Sequence, residues 1–135
     1  MVFRLILLAL VLTATATARP DEASGVVLKV IDGETFEVQG FGLVRLADID
    51  CPKMDTIEGV HAREYALENL LGAQVFLDVD NDTGRSSKDA TSCVAYLANP
   101  NGTPNLNENF NKMIAKAGYA TIRKDTRSEF DPARW

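Results

Sequence analysis

The chain carries one histidine and two cysteines in 135 residues, and that scarcity limits its metal chemistry at once. A structural zinc site takes four nitrogen or sulfur ligands, usually with cysteines paired closely in sequence. Here Cys51 and Cys93 stand far apart and His61 stands alone, which argues against such a site. Two thiols permit either one bridge, Cys51–Cys93, or two separate buried thiols. Long apolar runs are lacking as well. The longest, Leu5–Leu12, falls well short of the ~20 residues that cross a bilayer. Basic residues are outnumbered, with 14 Lys+Arg against 19 Asp+Glu and a net charge of −5. An acidic chain repels polyphosphate at long range, which disfavours nucleic acid as a partner unless a local basic patch intervenes.

What is present begins with a leader pattern. Arg4, the apolar run and the small-residue "ATA" ending at Ala18 read as a secretory signal peptide over residues 1–18, with an uncleaved anchor as the alternative. Cleavage there leaves 117 residues and removes Arg4, taking Lys+Arg to 13 against 19 acids, a net charge of about −6. The expected location is outside the cell or on the outer face of its membrane, a compartment in which a disulfide is allowed. Residues 19–24 are expected to be a flexible lead-in and residues 25–135 a single domain, large enough for one core and expected to be monomeric.

Along that domain, "GVVLKVIDGETFEVQGFGLVRLADI" reads as three strands, broken at Asp32–Gly33 and at the Gly40–Gly42 pair. From Gly59 to Leu71 the apolar period becomes helical, with Val60, Tyr65, Ala66, Leu67, Leu70 and Leu71 on one face and Gly72 as the stop. "AQVFLDVDND" and "CVAYLANPNG" read as two more strands. "NFNKMIAKAG" reads as a closing helix capped by Asn111 and stopped at Gly118. Phe130 and Trp135 are apolar anchors for the tail. The alternating acids Asp78, Asp80 and Asp82 are expected on a solvated strand face. Asn81 and Asn101 fit the N-glycosylation pattern. The order of elements predicts a mixed β fold with helices, suited to a five-stranded OB-type barrel with two or three helices.

Read in order, "VLKVIDGETFEV", "VRLADIDCPK", "LLGAQVFLDVD", "VAYL" and "FNKMIAKAGYA" resemble the staphylococcal nuclease-like (thermonuclease) family from about Gly25 to Ile122. The resemblance implies the five-stranded OB barrel. It also implies a calcium ion on two carboxylates, a glutamate as general base, and two phosphate-binding arginines. Residue by residue, Glu34 and Asp50 fall at the calcium-binding positions and Arg45 at the first arginine. Without the resemblance, "DGET" reads as turn chemistry, and Arg45 and Asp50 as a structural ion pair at a barrel rim.

The remaining positions depart from the family. Lys53 stands where the general base belongs, and a protonated amine cannot take a proton from water at neutral pH. Ser92 stands at the second arginine, Ala90 at a neighbouring tyrosine, and Asp89 where a cation is expected. Asn111–Lys112 replaces the acid-bearing pair that opens the closing helix. Downstream, "TIRKDT" offers no tyrosine to stack on a base. The expectation is therefore an exported, catalytically impaired nuclease homologue that binds an unidentified ligand in its former cleft. The alternative is a divergent calcium-dependent endonuclease acting on extracellular DNA or RNA. In that case Asp55, Glu58 or His61 replaces the base, with Arg85 and Lys88 as further loop charges near the cleft. Cys51 and Cys93 both flank former active-site positions, so the resemblance makes a bridge between them plausible if their Cα atoms lie within about 7 Å.

Overall fold

The computed structural model describes residues 22–82 and 89–135. The expected leader and the cationic loop residues Arg85 and Lys88 lie outside the described residues. Five strands close into a mixed barrel. β1 (Ala23–Val30), β2 (Thr35–Val38) and β3 (Gly42–Leu46) form an antiparallel meander. After the two-residue strand β4 (Ile49–Asp50) and helix α1 (Ile57–Leu70) come β5 (Gln74–Val79) and β6 (Thr91–Ala98). β5 pairs with both β1 and β6, and β6 closes the ring by running parallel to β3. This is the OB-type barrel with helices that the sequence predicts.

One irregularity makes closure workable. β1 gives its first half to β5 and its second half to β2, with the register shifting between Val27 and Lys29. A bulge of this kind bends a strand and sharpens its twist. It also turns Leu28 outward, where it is half-exposed. The barrel interior is filled by Val27, Val30, Phe36, Val38, Val44, Leu46, Val75, Leu77 and Ala95, all essentially inaccessible.

The two helices add to the same core, α1 through Ala66 and Leu70 and α2 (Phe110–Lys116) through Phe110 and Ile114. α1 starts two residues earlier than its apolar period suggests, because Thr56 caps it: the Thr56 Oγ1 accepts from Gly59 N–H at 3.1 Å. The face that packs is narrower than expected and made of small residues, Gly59, Ala62, Ala66 and finally Leu70, while Leu71 is exposed. A side chain on Gly59 would run into the Lys53 carbonyl, so the helix start lies directly on the preceding loop.

α2 is capped not by Asn111 but by Asn109, whose Oδ1 accepts from Lys112 N–H at 2.8 Å. Asn111 instead is fully buried. Its Oδ1 accepts from Ala95 N–H at 3.0 Å, and its Nδ2 donates to the Ala47 and Cys93 carbonyls at 3.0 and 3.2 Å. One amide thus ties α2 to β6 and to the β3–β4 corner.

Four features were not anticipated. β7 (Pro104–Asn109) extends the sheet beyond β6, and β8 (Thr121–Ile122) pairs with β4. The first two residues of β1, Ala23 and Ser24, belong to the sheet rather than to a flexible lead-in. Asp78 and Asp80 are buried rather than solvated. The Asp80 Oδ1 accepts from Asp82 N–H and Glu129 N–H. Asp48, held at φ 55°, accepts from Asp125 N–H at 2.7 Å and from Ser128 Oγ at 2.8 Å. These buried carboxylates fasten the tail, and Phe130 and Trp135 dock as expected against Ala47, Val94 and Tyr96.

The Asn111→Ala variant leaves the Ala95 N–H and the Ala47 carbonyl without their side-chain partner, at about 1–3 kcal/mol each where no water substitutes, while the Cys93 carbonyl keeps the Ala47 N–H at 2.8 Å. We expect a loss of at least about 2 kcal/mol of unfolding free energy by urea denaturation, with Asn109→Ala costing about 1 kcal/mol.

Candidate functional site

The site grows from the β1–β2 turn, the end of β3 and the strand β4. Asp32 Oδ1 accepts from Glu34 N–H at 2.9 Å, a turn that sets Glu34 just ahead of β2. Across the β2–β3 register Thr35 sits beside Arg45, and across the parallel β3–β6 register Arg45 sits beside Ser92. The Arg45 Nη2 meets Glu34 Oε2 at 3.2 Å, with the carboxylate well covered and the guanidinium partly in solvent. The position at which a second phosphate arginine is expected is thus next to Arg45, and it carries a neutral hydroxyl.

Glu34 is an unusual acid. Burial pushes its pKa up to about 7, and the carboxylates of Asp32 and Asp50 push the same way. Arg45 and a hydrogen bond from the Cys51 N–H oppose them without prevailing. The carboxyl is therefore poised between charged and neutral at neutral pH. Cys51 lies against the same group: a methyl on Gly33 would come within 2.8 Å of both the Cys51 Sγ and the Ala62 Cβ. Its thiol is driven up to about 12, by burial first and then by Glu34, Asp32 and Asp50. Cys93 is buried in the core and is likewise pushed up, chiefly by burial. The expected Cys51–Cys93 bridge is not formed; both are free thiols. Thiols held this far above neutrality carry almost no thiolate, the form that reacts.

Asp50 faces outward from β4, and its Oδ2 lies 3.5 Å from Arg123 Nη1 on an open surface. Such a pair contributes little in water. A calcium ion takes six to eight oxygen ligands. The two expected donors, Glu34 and Asp50, each face an arginine. Among the described residues no group of three or more His, Cys, Asp or Glu side chains is arranged to hold a metal. The donor atoms of the two expected ligands are of the right kind for calcium.

Lys53, at the expected general-base position, is on an exposed loop. Its carbonyl accepts from Thr56 N–H and Oγ1 at 3.0 and 2.6 Å, so its backbone anchors α1. Asp89 is exposed in a left-handed conformation (φ 58°), and Ala90 is buried. Of the three candidate replacement groups, Asp55 is exposed in the loop. Glu58 and His61, one turn apart on α1, instead line an open groove together with Asp50, Cys51 and Pro52. The groove's far wall is Gly118–Thr121, and its volume is about 520 Å³. Tyr119 in that wall packs against Tyr65 in a tilted arrangement, centroids 5.0 Å apart, and Tyr65 in turn stacks on Phe110 at 6.0 Å.

Two participants escaped the sequence reading. Tyr119 directly follows the helix stop at Gly118, ahead of the "TIRKDT" segment in which the resemblance leads one to expect a tyrosine. Asp32 read only as a turn residue. Compared with known proteins, the chain matches no family model and no curated protein sequence. Among the described residues no helix is long and apolar enough to cross a membrane.

The raised Glu34 carboxyl makes stability depend on pH with a definite sign. Its folded value of about 7 lies above its ordinary 4.5, so the folded state holds the extra proton between those limits. Stability is highest below pH 4.5 as far as this group decides, falls as the pH rises toward 7, and is flat above. Water still reaches the carboxyl, so the change should be about 1–2 kcal/mol. Urea denaturation at pH 5 and pH 8 should show it, and Glu34→Gln should remove most of the slope. Alkylation of the unfolded chain without reductant should label both cysteines, whereas the folded chain should react slowly at each.

Proposed function

We propose that the chain is an exported, nuclease-like OB barrel that has lost its catalytic groups and serves as a binding module. The observation that carries this reading is the Glu34–Arg45 pair at 3.2 Å. It couples the expected metal carboxylate to the expected phosphate-binding arginine. Each group satisfies the other, where a phosphodiesterase would hold both open, one for a cation and one for an anionic oxygen. The chemistry of the neighbouring positions supports the same reading. Lys53 is a cation at the place of a base, and Ser92 is a neutral group beside Arg45. A missing general base lowers a rate typically ~10²–10⁴-fold. A missing transition-state donor lowers it about 10²–10³-fold. The two losses need not multiply, but either leaves a feeble hydrolase. Calcium attracted to Glu34 and Asp50 is held weakly in this reading, because each carboxylate is shared with an arginine.

A second reading, a divergent phosphodiesterase, is favoured by one observation: Glu58 and His61 share a groove with Asp50. In that reading one of them is the base, and Asp50 belongs to both sites.

Hydrolysis of single-stranded DNA and RNA by the purified chain, with calcium and with chelator, decides between the two. We expect no calcium-dependent cleavage at high protein concentration. The double variant Lys53→Glu/Ser92→Arg is expected to gain activity by about 10² or more. Calcium-dependent cleavage by the unmodified chain that Glu34→Ala abolishes would overturn the binding-module reading, and loss with Glu58→Gln or His61→Ala would then identify the base.

A further inference from the structure

The groove bounded by the β4–α1 loop and the α2–β8 turn has a lining whose chemistry selects a ligand class. Asp50 and Glu58 contribute carboxylates, His61 an imidazole, Tyr119 an aromatic wall, and Pro52 and Ala120 apolar surface. No lysine or arginine is among the lining residues. The cation that meets a lining carboxylate is Arg123, which reaches Asp50 at 3.5 Å and is itself largely in solvent.

Each ligand class meets a different obstacle. An anion would face two carboxylates with no opposing charge on the groove wall. A bare metal ion lacks a gathered donor set among the described residues. A neutral apolar molecule would strip water from the carboxylates and return nothing. An organic cation on an apolar stem meets none of these obstacles. Its charge is drawn to Asp50 and Glu58 and to the face of an aromatic ring, and its stem covers Pro52 and Ala120. About 520 Å³ is more than one ammonium needs and lies within the usual range of small-molecule sites.

We propose that this groove binds a small organic cation, an ammonium or guanidinium on an apolar stem, through Asp50, Glu58 and Tyr119. The inference rests on the binding-module reading and names its ligand class. The charged groups stay partly hydrated, so the site is a weak one, and neutralising a single carboxylate should weaken binding only about three- to fivefold. The weak Arg123 contact is the one the ligand displaces.

The test is a two-dimensional amide NMR titration of the full chain with agmatine, with thymidine 5′-phosphate as the anionic probe. Agmatine is expected to shift the amides of Cys51, Glu58, His61 and Tyr119 in a saturable way, and the nucleotide to leave them unmoved. The double variant Asp50→Asn/Glu58→Gln should weaken agmatine binding about tenfold or more. Its dispersed spectrum will show that it remains folded. Tyr119→Leu, which keeps apolar bulk but no ring, should weaken binding a few-fold. Absence of saturable shifts at these residues, stronger shifts with the nucleotide, or unaltered affinity in the double variant would overturn the inference. So would much tighter binding of an arginine-bearing peptide, which would make the ligand part of a protein partner. Nucleic-acid cleavage in the hydrolysis assay would remove the binding-module reading while leaving agmatine binding measurable. Failure of agmatine to bind, without cleavage, removes this inference alone.

Discussion

Asn111 is the constraint on which the rest of the molecule depends. A barrel closed by two strands running parallel must hold together where turns give no help, and the β3–β6 seam is that place. The amide takes one proton from β6 and gives two, to β6 and to the corner beyond β3. It therefore fixes the seam and the seat of α2 with a single fully buried group. Buried amides left half-satisfied are costly, and a fully satisfied one specifies a unique arrangement. Arg45, beside Ser92 on that seam, inherits its position from this clamp, and so does Asp50, a few residues past Ala47.

Around the clamp the protein concentrates negative charge in unusual company. Burial, with the carboxylates of Asp32 and Asp50 pushing the same way, raises the Glu34 carboxyl to about 7, and Arg45 is the partial remedy. A site built to grip an anion would reverse that balance. The same excess of acid continues into the groove through Glu58. Fold and charge thus point in different directions: the barrel is of a type that accommodates many ligands, and the charge narrows which of them are welcome.

The barrel strands and both helices were legible because alternation, helical period and the punctuation at Gly33, Gly72 and Gly118 all agree. The polar fastenings were not. Asn111 looks like a cap from sequence, since an asparagine before an apolar helical run usually is one; only the packing shows that Asn109 holds that place. Asp78 and Asp80 alternate as solvated residues do, and the tail residue that meets Asp80, Glu129, lies 49 positions away in sequence. β7 is rich in asparagine, a poor strand former, and is held by β6 rather than by its own preference. In the candidate site, Glu34, Arg45 and Asp50 were singled out only by the resemblance of their segments to the nuclease-like family. The pairing of the first two depends on burial and distance, which no local pattern encodes. Tyr119 was hidden by the same logic, since its neighbour Tyr65 is in another element.

The parallel seam also governs how the chain reaches this shape. Val44 and Thr91 are forty-seven positions apart, yet they are nearest neighbours in the closed ring. The meander of β1 to β3 can form from local contacts, whereas joining β3 to β6 must first overcome the entropy of closing that long loop. Ring closure carries that cost, as does the pairing of β1 with β5, whose partners Ala23 and Leu77 are as remote in sequence. Until it occurs, one side of β3 presents unpaired backbone donors and acceptors to any other chain nearby. The nascent protein is most vulnerable to self-association in the interval between completing its meander and presenting Asn111.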